Sequence, residues 1–220
     1  LVYALLSPDK MQLDAVYAAP YFNSRSSGPA DGMEKSYEEI LRLLKLMKVS
    51  PEGWVYRGST GYLDSSLKPQ ESEAARNLVE RALASPADDP LYVVAIGAIT
   101  NVASAILMEP KIIEHMVIVW LGGNALYWPH TREFNLAQDI LASRLIFDCG
   151  VPLVQIPCMG VTTHLHTTIP ELEAHVSGRG AIGDYLVDVV KGYHDNHFGW
   201  SKVIWDIAAM AYLIDSSWTP

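Results

Sequence analysis

Cysteine is scarce in this sequence: Cys149 and Cys158 are the only two, and they fall in no C-x-x-C or zinc-like spacing. That excludes a disulfide framework and a local structural zinc, and leaves two thiols of the kind kept buried in a reducing compartment. Positive charge is also short, with 16 Lys+Arg against 25 Asp+Glu, a formal charge of −9, and no basic run. Tracking nucleic-acid phosphates needs clustered cations to release counterions, so nucleic acid is excluded as a partner. No apolar stretch reaches the length that spans a bilayer, and no basic segment leads into an apolar one. A membrane is therefore not an expected partner, and a cytoplasmic location is the default expectation. No G-x-G-x-x-G follows a strand, and G-x-x-x-x-G-K-[ST], G-x-S-x-G and H-E-x-x-H are missing altogether. Dinucleotide binding, P-loop phosphoryl transfer and serine-elbow hydrolysis lose their usual signatures.

What is present is 220 residues, half of them apolar, enough for one well-packed domain over 1–220. Residues 1–6 are apolar from the first position with no capping residue ahead of them, and so read as the back half of a helix. The end of the sequence, 215–220, reads as a loop, and the chain is expected to be a fragment truncated at its N-terminus. Residues 11–18 alternate as a strand does, and helices are expected at 33–48 and 71–84. From there the pattern settles into strands alternating with helices: strand 91–97, helix 101–108, strand 117–121, helix 136–148, strand 152–156. The strands are continuous β-rich runs, which means burial on both faces. Such an alternation predicts an α/β fold with an open, mainly parallel sheet flanked by helices, Rossmann-like in its layering. Segments 170–194 and 203–214 are mostly helical.

Ligands of such sheets sit outside the carboxyl ends of the strands. The loops at 20–27, 98–101, 122–135 and 157–166 are therefore where chemistry is expected. In the third, Glu133 and Asn135 flank Phe134; in extended backbone, spacing two puts a carboxylate and an amide on one side, able to hydrogen-bond adjacent hydroxyls of a polyol. The structural reading of the same residues is helix capping by Asn135 with Glu133 in solvent. Asp139 suits the positive end of the following helix. Asp206 stands in the apolar run 203–211, where a carboxylate must be paired, bonded to a helix start or used by a ligand. His164, His166, His194 and His197 have no acidic partner at a zinc-ligand spacing. Tyr127, Trp128, His130, Phe198 and Trp200 are loop aromatics on which a planar base could stack.

Val94-Ala95-Ile96-Gly97-Ala98-Ile99-Thr100-Asn101, then Leu121-Gly122-Gly123, Glu133-Phe134-Asn135 with Asp139 four beyond, and Trp205-Asp206 resemble, in order, the elements of the inosine/uridine-preferring nucleoside hydrolases. The resemblance implies hydrolysis of the N-glycosidic bond of purine or pyrimidine ribonucleosides to ribose and free base. It implies Ca2+ as cofactor, a small-molecule nucleoside as partner, and a homo-dimer or homo-tetramer. It places Thr100, through its backbone carbonyl, and Asp206 on the metal. Glu133, Asn135, Asn23, Asp206 and Trp205 then fall at the substrate. The family's D-x-D and D-D aspartates, which supply most metal ligands and the general base, belong ahead of residues 1–6, so the catalytic base is unknown in this sequence. Trp205 stands where the family often has a histidine that protonates the leaving base. The same fold without its acidic cluster would be a non-catalytic ribose- or nucleoside-binding module.

Overall fold

β-Branched runs and helix-spaced apolar residues alternate from residue 91 onward, and in the computed structural model, which describes residues 1–218, they form strands and helices in that order. The elements are α1 (Val2–Leu5), β1 (Val16–Tyr17), α2 (Pro29–Met47), β2 (Val55–Tyr56), α3 (Glu73–Ala84), β3 (Leu91–Ala95), α4 (Thr100–Met108) and β4 (Met116–Leu121). They continue as α5 (Phe134–Gln138), α6 (Ile140–Asp148), β5 (Leu153–Ile156), β6 (His166–Thr167), α7 (Ile169–His175), α8 (Ala181–Lys191), β7 (Lys202–Val203) and α9 (Ile207–Ile214). Thr219 and Pro220, the end of the expected terminal loop, lie outside the described residues.

Strands β3, β4 and β5 pair in parallel in sequence order, Val93 facing Ile118 and Trp120 facing Gln155. β1 and β2 form a second parallel pair, and β6 with β7 a short antiparallel one. This is the expected α/β architecture of parallel sheets flanked by helices. The strand period of two is plain in β4. Ile118 and Trp120 pack into a core with Leu78 of α3, Ala103 and Ile106 of α4, and Ile146 of α6. Val119 and Leu121, on the opposite face, pack with Ile156 against Ala208 and Ala209 of α9. Small alanines let α9 approach the sheet closely, which brings the residues just before it to the carboxyl ends of β4 and β5.

Two expectations change. The strand foreseen at 11–18 pairs only at Val16 and Tyr17. The short strands β2, β6 and β7 are too brief to show a period in sequence. The helix foreseen at 136–148 is two helices, broken at Asp139, whose backbone is extended at φ −139°, ψ 89°. Burial supplies the reason. The Asp139 side chain caps α6 by accepting from Ala142 N at 2.9 Å, and its other oxygen accepts from Leu63 N at 2.9 Å and the Thr100 hydroxyl at 2.8 Å. A buried carboxylate needs such donors, and a continuous helix would have turned it away from them. The next residue of the Thr-Asn pair does similar work: Asn101 Oδ1 accepts from Ser59 N and Oγ, and Asn101 Nδ2 donates to Ala18 O. Gly58 makes this approach possible, since a Cβ there would collide with Ala18 O and the Asn101 amide. A literal G-x-G-x-x-G does occur at 178–183, but it follows helix α7 and opens α8, so it is no strand-to-helix phosphate loop.

Removing the Asp139 carboxylate leaves two buried donors and the α6 cap unmatched. Asp139→Ala is expected to lower unfolding free energy by roughly 3–5 kcal/mol, read from urea denaturation. A loss below about 1 kcal/mol would show that these bonds do not anchor the fold.

Candidate functional site

A cavity of about 430 Å³ opens at the carboxyl ends of the three-stranded sheet, where ligands of parallel sheets are met. Ile96 follows β3, Leu121 ends β4, and Cys158 and Met159 follow β5. The loop from β4 to α5 contributes Asn124, Arg132 and Glu133, the start of α5 contributes Phe134 and Asn135, and the turn before α9 contributes Trp205 and Asp206.

The cavity floor is built by backbone capture. Gly123 takes a positive φ of 73°, a conformation that favours glycine, and a Cβ there would meet Gln155 Nε2 at 2.8 Å. This turn aims Gly123 N at Glu133 Oε2, 3.0 Å away. Glu133 is the N-cap of α5: Oε1 accepts from Asn135 N at 3.0 Å, and Oε2 also accepts from Leu136 N at 3.0 Å. Sequence reasoning placed Glu133 and Asn135 on one side through extended backbone, with Asn135 as the capping alternative. The structure corrects both points, because Phe134 already begins the helix and Glu133 is the cap. Both side chains nevertheless line the cavity. Three donors on a carboxylate with about four acceptor positions leave room for one more hydroxyl. Asn135 Nδ2 donates to Leu121 O at 2.9 Å, which fixes the amide plane and leaves its oxygen uncommitted among the described residues.

Asp206 precedes α9 in helical rather than extended backbone, and its side chain makes no capping bond. The helix-start reading of this residue is thereby corrected: the carboxylate points into the cavity instead. It is open to solvent through the cavity mouth, yet protein surrounds it on the remaining sides, as for any group at the base of a cleft. That desolvation pushes its carboxyl up to about 6, with the Lys202 ammonium acting against the shift and the Glu133 carboxylate adding to it. Burial first, and then Glu133, push the Cys158 thiol up, so it serves as wall rather than nucleophile. The indole of Trp205 also lines the cavity, and its Nε1 is buried with no hydrogen-bond partner among the described residues.

Other sequence-chosen residues go elsewhere. Thr100 is fully buried at the start of α4, occupied with Asp139, and is not part of the cavity lining. Asn23 is exposed and holds a turn by accepting from Arg25 N at 2.8 Å, also away from the lining. Asn124 clamps the loop, donating to the carbonyls of His130 and Arg132 and accepting from Met159 N. Tyr127, Trp128, His130, Phe198 and Trp200 lie outside the lining, as do His194 and His197. Sequence reasoning missed Ile96, Phe134, Met159 and Arg132 as walls. Position in the windows after β4 and β5 could have pointed to the last three, but no chemical signature marks them.

The calcium that the resemblance implies requires six to eight oxygens. Among the described residues no three His, Cys, Asp or Glu side chains come together as a metal set. Asp206 is an uncommitted carboxylate, Glu133 is held by backbone donors, and Thr100 is outside the lining. These residues do not fit a complete calcium site by themselves.

The family model described as inosine-uridine preferring nucleoside hydrolase matches residues 22–219. The probable uridine nucleosidase 2 of Arabidopsis thaliana is 30% identical over 135 residues, covering 59% of this chain and 41% of that protein. A pyrimidine-specific ribonucleoside hydrolase of Escherichia coli O1:K1 / APEC is 26% identical over 155 residues, 66% of this chain and 48% of its own. The chain thus spans about half the length of these curated relatives. Two solved structures share the fold. A purine-preferring ribonucleoside hydrolase from Gardnerella vaginalis has a TM-score of 0.69 at 21% identity, over 98% of this chain and 75% of that one. An inosine-guanosine nucleoside hydrolase has a TM-score of 0.73 at 19% identity, over 97% and 74%.

Two measurements follow. The native chain keeps the Asp206 proton to about pH 6, whereas an unfolded aspartate releases it near 3.8. Stability from this group is therefore present below pH 4 and lost as pH rises through 6. In calcium-free buffer, Asp206→Asn is expected to melt higher than the parent at pH 7.5 and equally at pH 3.5; the same offset at both values would contradict the shift. Calcium titrated calorimetrically into the chain is expected to bind no tighter than about 10⁻³ M. Micromolar binding would show that the oxygen set is complete after all.

Proposed function

From the premise that this chain belongs to the inosine-uridine preferring nucleoside hydrolase family, we propose that its cavity binds a ribonucleoside and promotes hydrolysis of the bond between ribose and base. The observation that carries the reading is the convergence of Glu133, Asn135, Asp206 and Trp205 on one cavity at the strand ends. An acceptor carboxylate with one free position, a fixed amide and an uncommitted carboxylate suit neighbouring sugar hydroxyls. An aromatic ring beside them suits a planar base.

Each group has a role as the glycosidic bond lengthens. The sugar flattens and gains positive charge, and Glu133 and Asp206 present negative charge toward it, so they stabilise that state more than the neutral substrate. Glu133 is already held by three backbone N–H groups and need not reorganise during the reaction. Asn135, tied to Leu121 O, orients a hydroxyl without adding charge. Trp205 stacks on the departing base, since an indole has no acid to give at neutral pH. No step is assigned here to a metal, because the described donors do not complete a site for one.

The relatives include a protein named for uridine, one for pyrimidines and a fold neighbour for purines. Ribonucleosides of both base classes are accordingly the substrates to offer. Ribose release from inosine, uridine, adenosine and cytidine, measured with calcium present, is expected to fall about 100-fold in Glu133→Ala and in Asn135→Ala. Unchanged turnover and unchanged nucleoside affinity in both variants would remove these residues from the site.

A further inference from the structure

The aromatic ring assigned to the base lacks the bond that usually orients a buried indole. Among the described residues Trp205 Nε1 is buried without a hydrogen-bond partner, so the ring's orientation must come from what lies against it. Apolar contact comes from the cluster of Val119, Leu121 and Ile156 with α9. The directional contact is ionic: Lys202 Nζ stands over the Trp205 ring, 4.0 Å from its centroid. The same ammonium stands 4.6 Å from the centroid of Tyr193 and donates to Val203 O at 3.1 Å. Arg25 in turn lies over Tyr193 at 5.1 Å. Lys202 is itself placed by strand pairing, opposite Thr167 in the β6–β7 ladder.

A cation within about 6 Å of an aromatic face is attracted by the ring quadrupole, more strongly where water is partly removed. Lys202 and Trp205 are both half-buried. We propose that Lys202 is a positioning residue which, shared between Tyr193 and Trp205, covers one face of the indole and presents the other to the nucleobase. The inference rests on the nucleoside-binding reading above and adds that base affinity, as distinct from ribose affinity, is set from behind the ring. Cation contacts through Tyr193 and Lys202 then connect Arg25 of the 20–27 loop to Trp205 at the cavity.

The test uses Lys202→Met, which keeps the length and loses the charge, and Lys202→Arg, which keeps a cation able to stack. Lys202→Met is expected to weaken inosine and uridine binding about tenfold beyond any change in ribose binding, which the Lys202 ammonium reaches through the Asp206 carboxylate, and Lys202→Arg to restore it to within about threefold. Tryptophan emission supplies a readout that needs no ligand. Lys202→Met is expected to change emission in the parent chain and to leave it unchanged in a Trp205→Phe background. Equal nucleoside affinity in Lys202→Met and the parent, or an emission change that persists in Trp205→Phe, overturns the proposal. Should the parent bind no nucleoside, the hydrolase reading fails, and the emission pair still decides whether Lys202 holds the ring.

Discussion

The Asp139 carboxylate accepts hydrogen bonds from Leu63 N, the Thr100 hydroxyl and Ala142 N, and so ties together three segments distant in sequence while only 2% exposed. A carboxyl group at that depth is tolerated only if its donors are held in place, and its donors hold the chain in turn. Its position ends α5 after Gln138 and starts α6 at Ile140. A short α5 with its own cap at Glu133 is the result. Gln138, the last residue of α5, is bonded on both sides of its amide to Phe22 and accepts from the Tyr62 hydroxyl. The helix that carries Asn135 is thus fixed at both ends before any ligand arrives.

Around the cavity, polar groups divide by how fully the protein uses them. Glu133 takes three backbone donors, and Asn124 has both ends of its amide engaged in closing the loop. Asp206 takes none among the described residues, and desolvation in the cleft, with Glu133 adding to it, raises its carboxyl. A preorganised carboxylate beside an unsatisfied one suits a site in which the first positions and the second receives charge or hydrogen bonds from what binds.

The alternating strands and helices were legible from residue 91 onward, because β3, β4 and β5 are continuous β-rich runs, although only β4 is buried on both faces and β3 leaves Tyr92 exposed. The site windows were legible too, through the rule that ligands meet parallel sheets at their carboxyl ends. Glu133, Asn135, Trp205 and Asp206 do meet in one cavity. The side chains of Thr100 and Asn23 do local work, with Asp139 and with the 23–26 turn respectively.

The sequence by itself determined the alternation of strands and helices from residue 91 onward and where the loops of interest lie. Those are properties of composition and short-range period, which act within a few residues. Tertiary structure decided the break at Asp139, the identity of the α5 cap, and the sharing of Lys202 between Tyr193 and Trp205. Each depends on a partner brought from elsewhere in the chain: Leu63 and Thr100 for Asp139, Gly123 for Glu133, and Tyr193 for Lys202. No local period encodes such a meeting, because the helix or strand that delivers the partner is packed by the whole core.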